Sequence, residues 1–471
     1  MKKLSVLAMA MIVMASCTKE NVQPNNEPTG EKALLEIGLA STKTQLGTED
    51  KENNLFPIVW SEGDEIAVIE NMGVEGQNVL VYRLRQGAGT ANGVFELLEG
   101  SPKVTNNVDV VYPASAVMGK GLIGDISSLV PKVQTQSYTA GNFDPNAAVM
   151  HFHRNNADEK IFLSPLSSIV CIPIKGFDNE DIVTAVKWQN MDGRTVDVTL
   201  NCPGEGVTLS KETATNFYLS IPPMKNDCSG IAYVYLKNGA IQVKTPRDLT
   251  AFQAGTLHRF PEWTLNKKAK WTILGIGSER DATTWKQVPL GPAQYMIDGN
   301  DLSWWEFRRQ LKADKSGPEM AGPHTVVIDL GESQKINGIK IKSKEIPTSP
   351  EYGITYVNAK GQTVDIYGSQ SYNPPHTFYI GFTANDPGEA AINAFTKNKT
   401  WPTVIEKTTF QSAKDTKIND YYGDDKKTWW DNKLNNQVTA RYLFIHFEKA
   451  WDNTGAKTAS NMMKVAELDI Y

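Results

Sequence analysis

Apolar and polar residues alternate with a period of two along many short runs of this chain. Residues 35–39, 66–69, 79–82, 108–112, 161–174, 217–221 and 231–236 all read this way, with Gly, Pro, Asn or Asp nearby. Successive side chains on a strand point to opposite faces, so each run predicts a strand. Further on, Ile339 and Ile341 alternate with Lys340 and Lys342, a half-buried strand. Residues 442–447 carry apolar side chains on both faces, as a central strand requires. Asp329-Leu330-Gly331 ends a strand in a turn where glycine takes positive φ. No convincing helical period extends beyond about ten residues. The prediction is an all-β protein built from β-sandwiches.

The 471 residues allow several domains. Trp60 and Trp188 are the only tryptophans before residue 260, and nine follow. Between the two regimes, Leu265-Asn266-Lys267-Lys268-Ala269-Lys270 is polar and basic with no strand pattern. We therefore read residues 34–262 as a β-sandwich region of two sub-domains, 263–270 as a linker, and 271–471 as a C-terminal domain. Net charge is −5 from 48 basic and 53 acidic residues, so there is no domain-scale basic excess and nucleic acid is not the expected partner.

The first twenty residues read as an address. Lys2 and Lys3 precede an apolar stretch over 4–13 that is too short to span a bilayer and has the length of a signal core. Met14-Ala15-Ser16-Cys17 follows and resembles a bacterial lipobox, although Met14 stands where Leu is usual. The resemblance implies removal of residues 1–16, acylation of Cys17, a flexible tether over 17–33 and anchoring in the outer membrane. Of the other cysteines, Cys171 sits in an apolar run and reads as a buried thiol, while Cys202 and Cys228 either pair or stay free.

Two families are suggested by ordered motifs. Thr42-Lys43-Thr44, Trp60-Ser61-Glu62-Gly63-Asp64-Glu65-Ile66, Val110-Val111-Tyr112-Pro113-Ala114-Ser115 and Tyr218-Leu219-Ser220-Ile221-Pro222-Pro223 together resemble fimbrillin-like lipoproteins of Bacteroidetes. That implies a scaffold, with fimbrial subunits as possible partners. The first arginine, Arg83, lies beyond the site where arginine-dependent stalk maturation would cut. A terminal or non-polymerising lipoprotein fits better.

Residues 293–305, Pro323-His324-Thr325-Val326-Val327-Ile328-Asp329-Leu330-Gly331, 336–341, 364–369, Ala440-Arg441-Tyr442-Leu443 and Glu467-Leu468-Asp469-Ile470-Tyr471 resemble the coagulation-factor 5/8 type C, or discoidin-like, domain and family 32 carbohydrate-binding modules. The resemblance implies a galactose-binding-like jelly roll whose first and last strands lie close together. It also implies a possible structural Ca²⁺ held by Asp298, Asn300, Ser303 and Glu467. Asn and Ser replace the usual Asp and Thr there, which weakens affinity. The competing reading is that Asp298 caps its own turn and Glu467 pairs with Arg441 or a lysine.

A glycan or glycoprotein ligand needs rings to stack on and polar groups for hydroxyls. Trp304, Trp401, Tyr422 and Trp429 supply rings, and Arg308 and His376 supply polar groups. Trp305 reads as core. Catalytic signatures are weak. Gly119-Lys120-Gly121-Leu122-Ile123-Gly124 matches a dinucleotide fingerprint but opens no helix, and reads as a loop. His151 and His153 share one strand face without an evident third ligand. The expectation is a non-enzymatic envelope protein that binds carbohydrate, with a fimbrial tip or anchor as the alternative.

Overall fold

The computed structural model describes residues 33–39, 59–135, 144–190, 196–223, 230–244, 252–277, 290–291, 293–300, 304–306, 309–311, 318–320, 324–343, 355–357, 363–365, 375–403, 405, 407–411, 430–451, 459–460 and 464–471. They form an all-β protein in three parts, and the sole α-helix among them is Gly388–Thr396.

The first part is a closed barrel. Its strands run in the order Leu34–Leu39, Asn92–Leu97, Asn78–Gln86, Glu65–Glu70, Val108–Tyr112, Met150–Arg154, Ile161–Pro165. The ring closes where Ile37–Leu39 run parallel to Ile161–Leu163. Alternation decides what points inward: Ile66, Val68, Leu80, Tyr82, Phe95 and Val110 fill the barrel. The opposite faces of Glu65–Glu70 and Val108–Tyr112 carry Ala67, Ile69 and Val111, and these are covered by Val117, Ile123 and Leu129. The motif around Trp60 has a physical basis. Ser61 N–H donates to Asp64 Oδ2 at 2.7 Å, the Tyr112 hydroxyl donates to Asp64 Oδ1 at 3.1 Å, and Gly63 takes φ +85°. This turn seats the Trp60 ring edge-on to Phe95 at 4.8 Å and to Tyr112 at 5.5 Å.

The second part is a two-sheet sandwich. One sheet holds Ile241–Lys244, Gly230–Leu236, Ile182–Asn190, Asp197–Asn201 and Val133–Thr135; the other holds Thr215–Ile221, Ser168–Lys175 and Leu257–Arg259. Trp188 is fully buried between them, stacked on Phe260 at 5.0 Å and edge-on to Phe252 at 6.0 Å. The run 161–174, read as one strand, is two. Ile161–Pro165 belongs to the barrel and Ser168–Lys175 to the sandwich. Pro165 lacks a donor and is followed by Leu166, Ser167 and Ser168, so the ladder breaks and the chain crosses between parts there.

Barrel and sandwich share a neutral seam. Val133–Thr135, from the stretch between two barrel strands, runs parallel to Asp197–Asn201 of the sandwich. The buried Gln134 amide donates to Ser220 C=O at 2.5 Å and accepts from Ser220 N–H at 2.9 Å. Ser220 Oγ donates to Ala147 C=O at 2.7 Å.

The third part is organised by two long antiparallel strands, His324–Ser343 and Trp430–Trp451. Their register shifts between Asp329 and Gln334 and again between Ile336 and Gly338. Before the first shift, the strand from His324 pairs with Thr272–Ile276; after the second it pairs with Lys464–Ile470. The first and last strands of the domain thus meet through a shared neighbour and a shared core containing Trp271 and Leu468. Trp305 lies in that core, fully buried and 6.0 Å from Phe447, as the sequence predicts. Residues 442–445 are buried at consecutive positions, and Gly331 takes φ +82° with its N–H bonded to Asp329 Oδ1.

Candidate functional site

The ring and polar residues proposed for a ligand fall unevenly. Arg308, Tyr422 and Trp429 lie outside the described residues. Trp304 is in the strand Trp304–Glu306 and His376 in Pro375–Thr383, and the side chains of both lie outside the description. Trp401 is described, half-buried. Its indole N–H donates to Ile405 C=O at 2.8 Å, and its ring stands edge-on to Phe395 of the helix at 5.2 Å. Phe395 also meets the His446 ring at 6.4 Å, and His446 is edge-on to Tyr379 at 5.3 Å. Tyr379 and His446 are half-buried register partners on neighbouring strands. Lys399, two residues before Trp401, donates to Thr396 C=O at 2.8 Å and Thr325 Oγ1 at 3.3 Å, with burial holding its ammonium below the usual lysine range. The structure therefore adds Tyr379, His446 and Lys399 to Trp401. Sequence reasoning missed them because the strand register pairs Tyr379 with His446, and only the buried Phe395 links that pair to Trp401.

The proposed calcium residues lie at a second seam, between the middle sandwich and the C-terminal domain. Asp298, Asn300 and Glu467 are all buried, and Ser303 lies outside the described residues. Asp298 Oδ1 accepts from Asn300 N–H at 2.8 Å, closing a turn on its own backbone, with Gly299 at φ +82°. The Asp298 carbonyl accepts from Val243 N–H of the middle sandwich at 3.0 Å. Glu467 Oε1 accepts from the ammonium of Lys268, which is itself buried. Arg441, the other partner weighed for Glu467, instead grips Asp329 with two hydrogen bonds of 2.8 and 2.9 Å. This arrangement does not suit calcium, which takes about six to eight oxygens. The carboxylate offered to the ion is engaged by a cation of the chain.

The segment read as a linker is packed. Trp263–Thr264 pairs with Ile174 and Lys175 of the middle sandwich. Lys267–Lys270 forms a 3-10 turn capped by Asn266, whose side chain accepts from Lys268 N–H at 2.9 Å. Lys267 Nζ reaches Ile470 C=O at 2.8 Å and Asp469 Oδ1 at 2.7 Å, whereas Lys270 Nζ reaches Asp178 Oδ2 at 2.8 Å. A charged hexapeptide looks like a solvated tether, but here its charges are spent on both neighbours. The Tyr295 hydroxyl donates to the Tyr233 hydroxyl across the same seam at 3.3 Å, and burial pushes both hydroxyls up.

The remaining candidates resolve simply. Among the described residues no three histidine, cysteine, aspartate or glutamate side chains are placed to hold a metal ion. His151 Nε2 and His153 Nδ1 sit 2.7 and 3.0 Å from one oxygen of Asp109. Burial pushes the Asp109 carboxyl up, but the two imidazoles outweigh it and hold the group below its ordinary value. The stretch 119–124 runs between two 3-10 turns, not into an α-helix. Cys171 is a buried thiol outside any disulfide; Cys202 is likewise unbridged, with burial pushing it up to about 12, and Cys228 lies outside the described residues. Cys17 and the rest of residues 1–32 lie outside them as well. No helix among the described residues is long and apolar enough to cross a membrane.

No protein-family model and no curated protein matches the chain. Solved structures similar to it include a family 32 carbohydrate-binding module from a family 31 glycoside hydrolase of Clostridium perfringens, at 13% identity and TM-score 0.27, covering 44% of this chain and 93% of that one. The C-terminal domain of a chitobiase from Bacteroides fragilis matches at 16% identity and TM-score 0.26, covering 44% and 95%. The family 32 module of NanJ from C. perfringens, solved with galactose, matches at 14% identity and TM-score 0.23, covering 43% and 95%.

Proposed function

We propose that this chain is a lipid-anchored protein of the outer membrane that binds carbohydrate or a glycoprotein through its C-terminal domain, without catalysis. The barrel and middle sandwich, read as fimbrillin-like, form its scaffold. The observation that carries the reading is the row of half-buried rings Trp401, His446 and Tyr379, linked through the buried Phe395 on whose core Trp401 packs. A sugar docks the C–H face of its ring on an aromatic ring and directs its hydroxyls to nearby donors and acceptors. Trp401 is held for such a task, since its N–H is engaged behind it by Ile405. The discoidin-like order of the motifs supports the same reading, and the lipobox-like Cys17 supports the anchor.

The test is binding of the full chain, carrying Cys17→Ser to remove the acylation site, to arrays of plant, mucin and glycosaminoglycan sugars. Specific binding is expected, with Trp401→Ala weakening it about tenfold, or about 1.4 kcal/mol. Silence across the arrays from a folded protein overturns the reading. For the anchor, labelled palmitate is expected in the wild-type protein and absent from Cys17→Ser.

A second reading is a tip or anchor component of a fimbria. It draws on the first strand, Leu34–Leu39, which follows the tether and closes the barrel through a parallel contact of three residue pairs. Exchange of such a strand would join subunits by main-chain pairing. Protein that never appears in sheared surface fibres would dispose of it.

A further inference from the structure

The seam between the middle sandwich and the C-terminal domain carries its own cation. We propose that the ammonium of Lys268 takes the place of a cation at Glu467, so that this carboxylate takes up no calcium and the domain is clamped to the preceding sandwich by the chain itself. The inference is independent of whether the ligand is a sugar.

Placement carries the argument. Lys268 is 5% exposed and Glu467 3%, and the two are hydrogen-bonded. The Lys268 ammonium also lies over the Trp271 ring, 5.7 Å from its centre. The turn at Asp298 is locked against the lysine-bearing turn: a Cβ on Gly299 would fall 2.3 Å from Asn266 Nδ2. Both main-chain and side-chain oxygens of Asp298 accept hydrogen bonds, from Val243 N–H and Asn300 N–H. A divalent ion at Glu467 would therefore meet an ammonium at hydrogen-bonding range. An ammonium is satisfied by about three acceptors, where calcium takes about six to eight.

The neighbours make the cation a clamp. Lys267 and Lys268 reach the last strand of the C-terminal domain, and Lys270 reaches Asp178 and Asp181 of the middle sandwich. On the C-terminal side, the Gly331 turn closes on the same segment, where a Cβ would fall 2.8 Å from the Lys270 carbonyl oxygen. One short turn thus holds both partners.

The experiment uses the full chain in three forms: wild type, Lys268→Met and Lys268→Arg. Thermal unfolding is followed in millimolar CaCl₂ and in EDTA, and calcium binding to the wild type is measured by calorimetry. The wild type is expected to give no binding heat and the same Tm in both buffers. Lys268→Met is expected to lower Tm by about 5 °C or more in EDTA, and to recover part of that loss in calcium because the buried Glu467 carboxylate is then open to it. Lys268→Arg is expected to stay calcium-blind. A wild-type Tm that rises in calcium, stoichiometric calcium binding by the wild type, or a Lys268→Met variant that gains no calcium response would each overturn the proposal. If Lys268→Met fails to fold, the wild-type titration and Lys268→Arg still decide it.

Discussion

The two seams join their parts by different chemistry. Between barrel and middle sandwich the buried contacts are neutral: Gln134 with the Ser220 backbone, and Ser220 Oγ with Ala147. Between middle sandwich and C-terminal domain ion pairs join the neutral contacts of Val243 and Tyr233, with three lysines of one turn set against four carboxylates and the Lys268–Glu467 pair buried. Amides and hydroxyls keep their charge state at any ordinary pH. Ion pairs do not, and the exposed ones are screened by salt. The first seam is therefore fixed and the second is conditional.

The largest expected effect is at the buried pair. Glu467→Gln leaves the Lys268 charge without its carboxylate partner, and urea unfolding is expected to show a loss of about 3–5 kcal/mol. In the neutral seam, Gln134→Leu deprives both backbone groups of Ser220 of a partner and is expected to cost about 2–3 kcal/mol, unchanged between pH 5 and pH 8. A cost there that varied with pH would erase the contrast between the seams. Gly331→Ala puts a Cβ at φ +82° against the Lys270 carbonyl, with an expected loss of about 2 kcal/mol.

Acid and base sharpen the contrast further. Burial pushes the Asp178 carboxyl up, but the Lys270 ammonium and backbone N–H groups outweigh it and hold the group below its ordinary value. Its contribution is present above the unfolded value of about 3.9 and disappears as pH falls through the lower folded value. Burial lowers Lys270, but Asp178 and Asp181 raise it above its ordinary value overall. That contribution is complete below about pH 10.4 and is lost as pH rises through the folded value. Hydrogen exchange is expected to loosen residues 267–270 at both extremes while the Ser220 N–H, held by the neutral Gln134 amide, stays protected. The smallest effect is Lys267→Ala. Its pair with Asp469 is about one-third exposed on each side, so the expected loss is about 0–1 kcal/mol and vanishes in high salt.

Much of the fold was legible because its causes are local. The alternation at 66–69 and 108–112, the turn from Trp60 to Asp64 and the burial of Trp305 all follow from neighbouring residues. The split of 161–174 was not legible, since a strand that changes sheets keeps its apolar pattern through the crossing. Residues 265–270 misled for a different reason. A run of lysines has the composition of a solvated loop, and nothing near Lys268 marks a carboxylate 199 residues later. The ligand group shows the same limit. Trp401 could be picked as an aromatic in a loop-like stretch, but Tyr379 and His446 pair only through a register that the sequence does not print, and Phe395 links them to it.

The long reach of Lys268 also bears on how the protein is made. A ribosome adds about 5–20 residues each second, so Lys268 waits about ten to forty seconds for Glu467 to be synthesised. The barrel and the middle sandwich have their strands by then, and the face that will receive the last domain stands open to water. An ammonium is well solvated during that interval. An apolar side chain in its place would leave Glu467 buried without its cation and would also widen the adhesive surface of every unfinished chain. The charge that is costly to bury at the end keeps nascent molecules apart until there is something to bury it against.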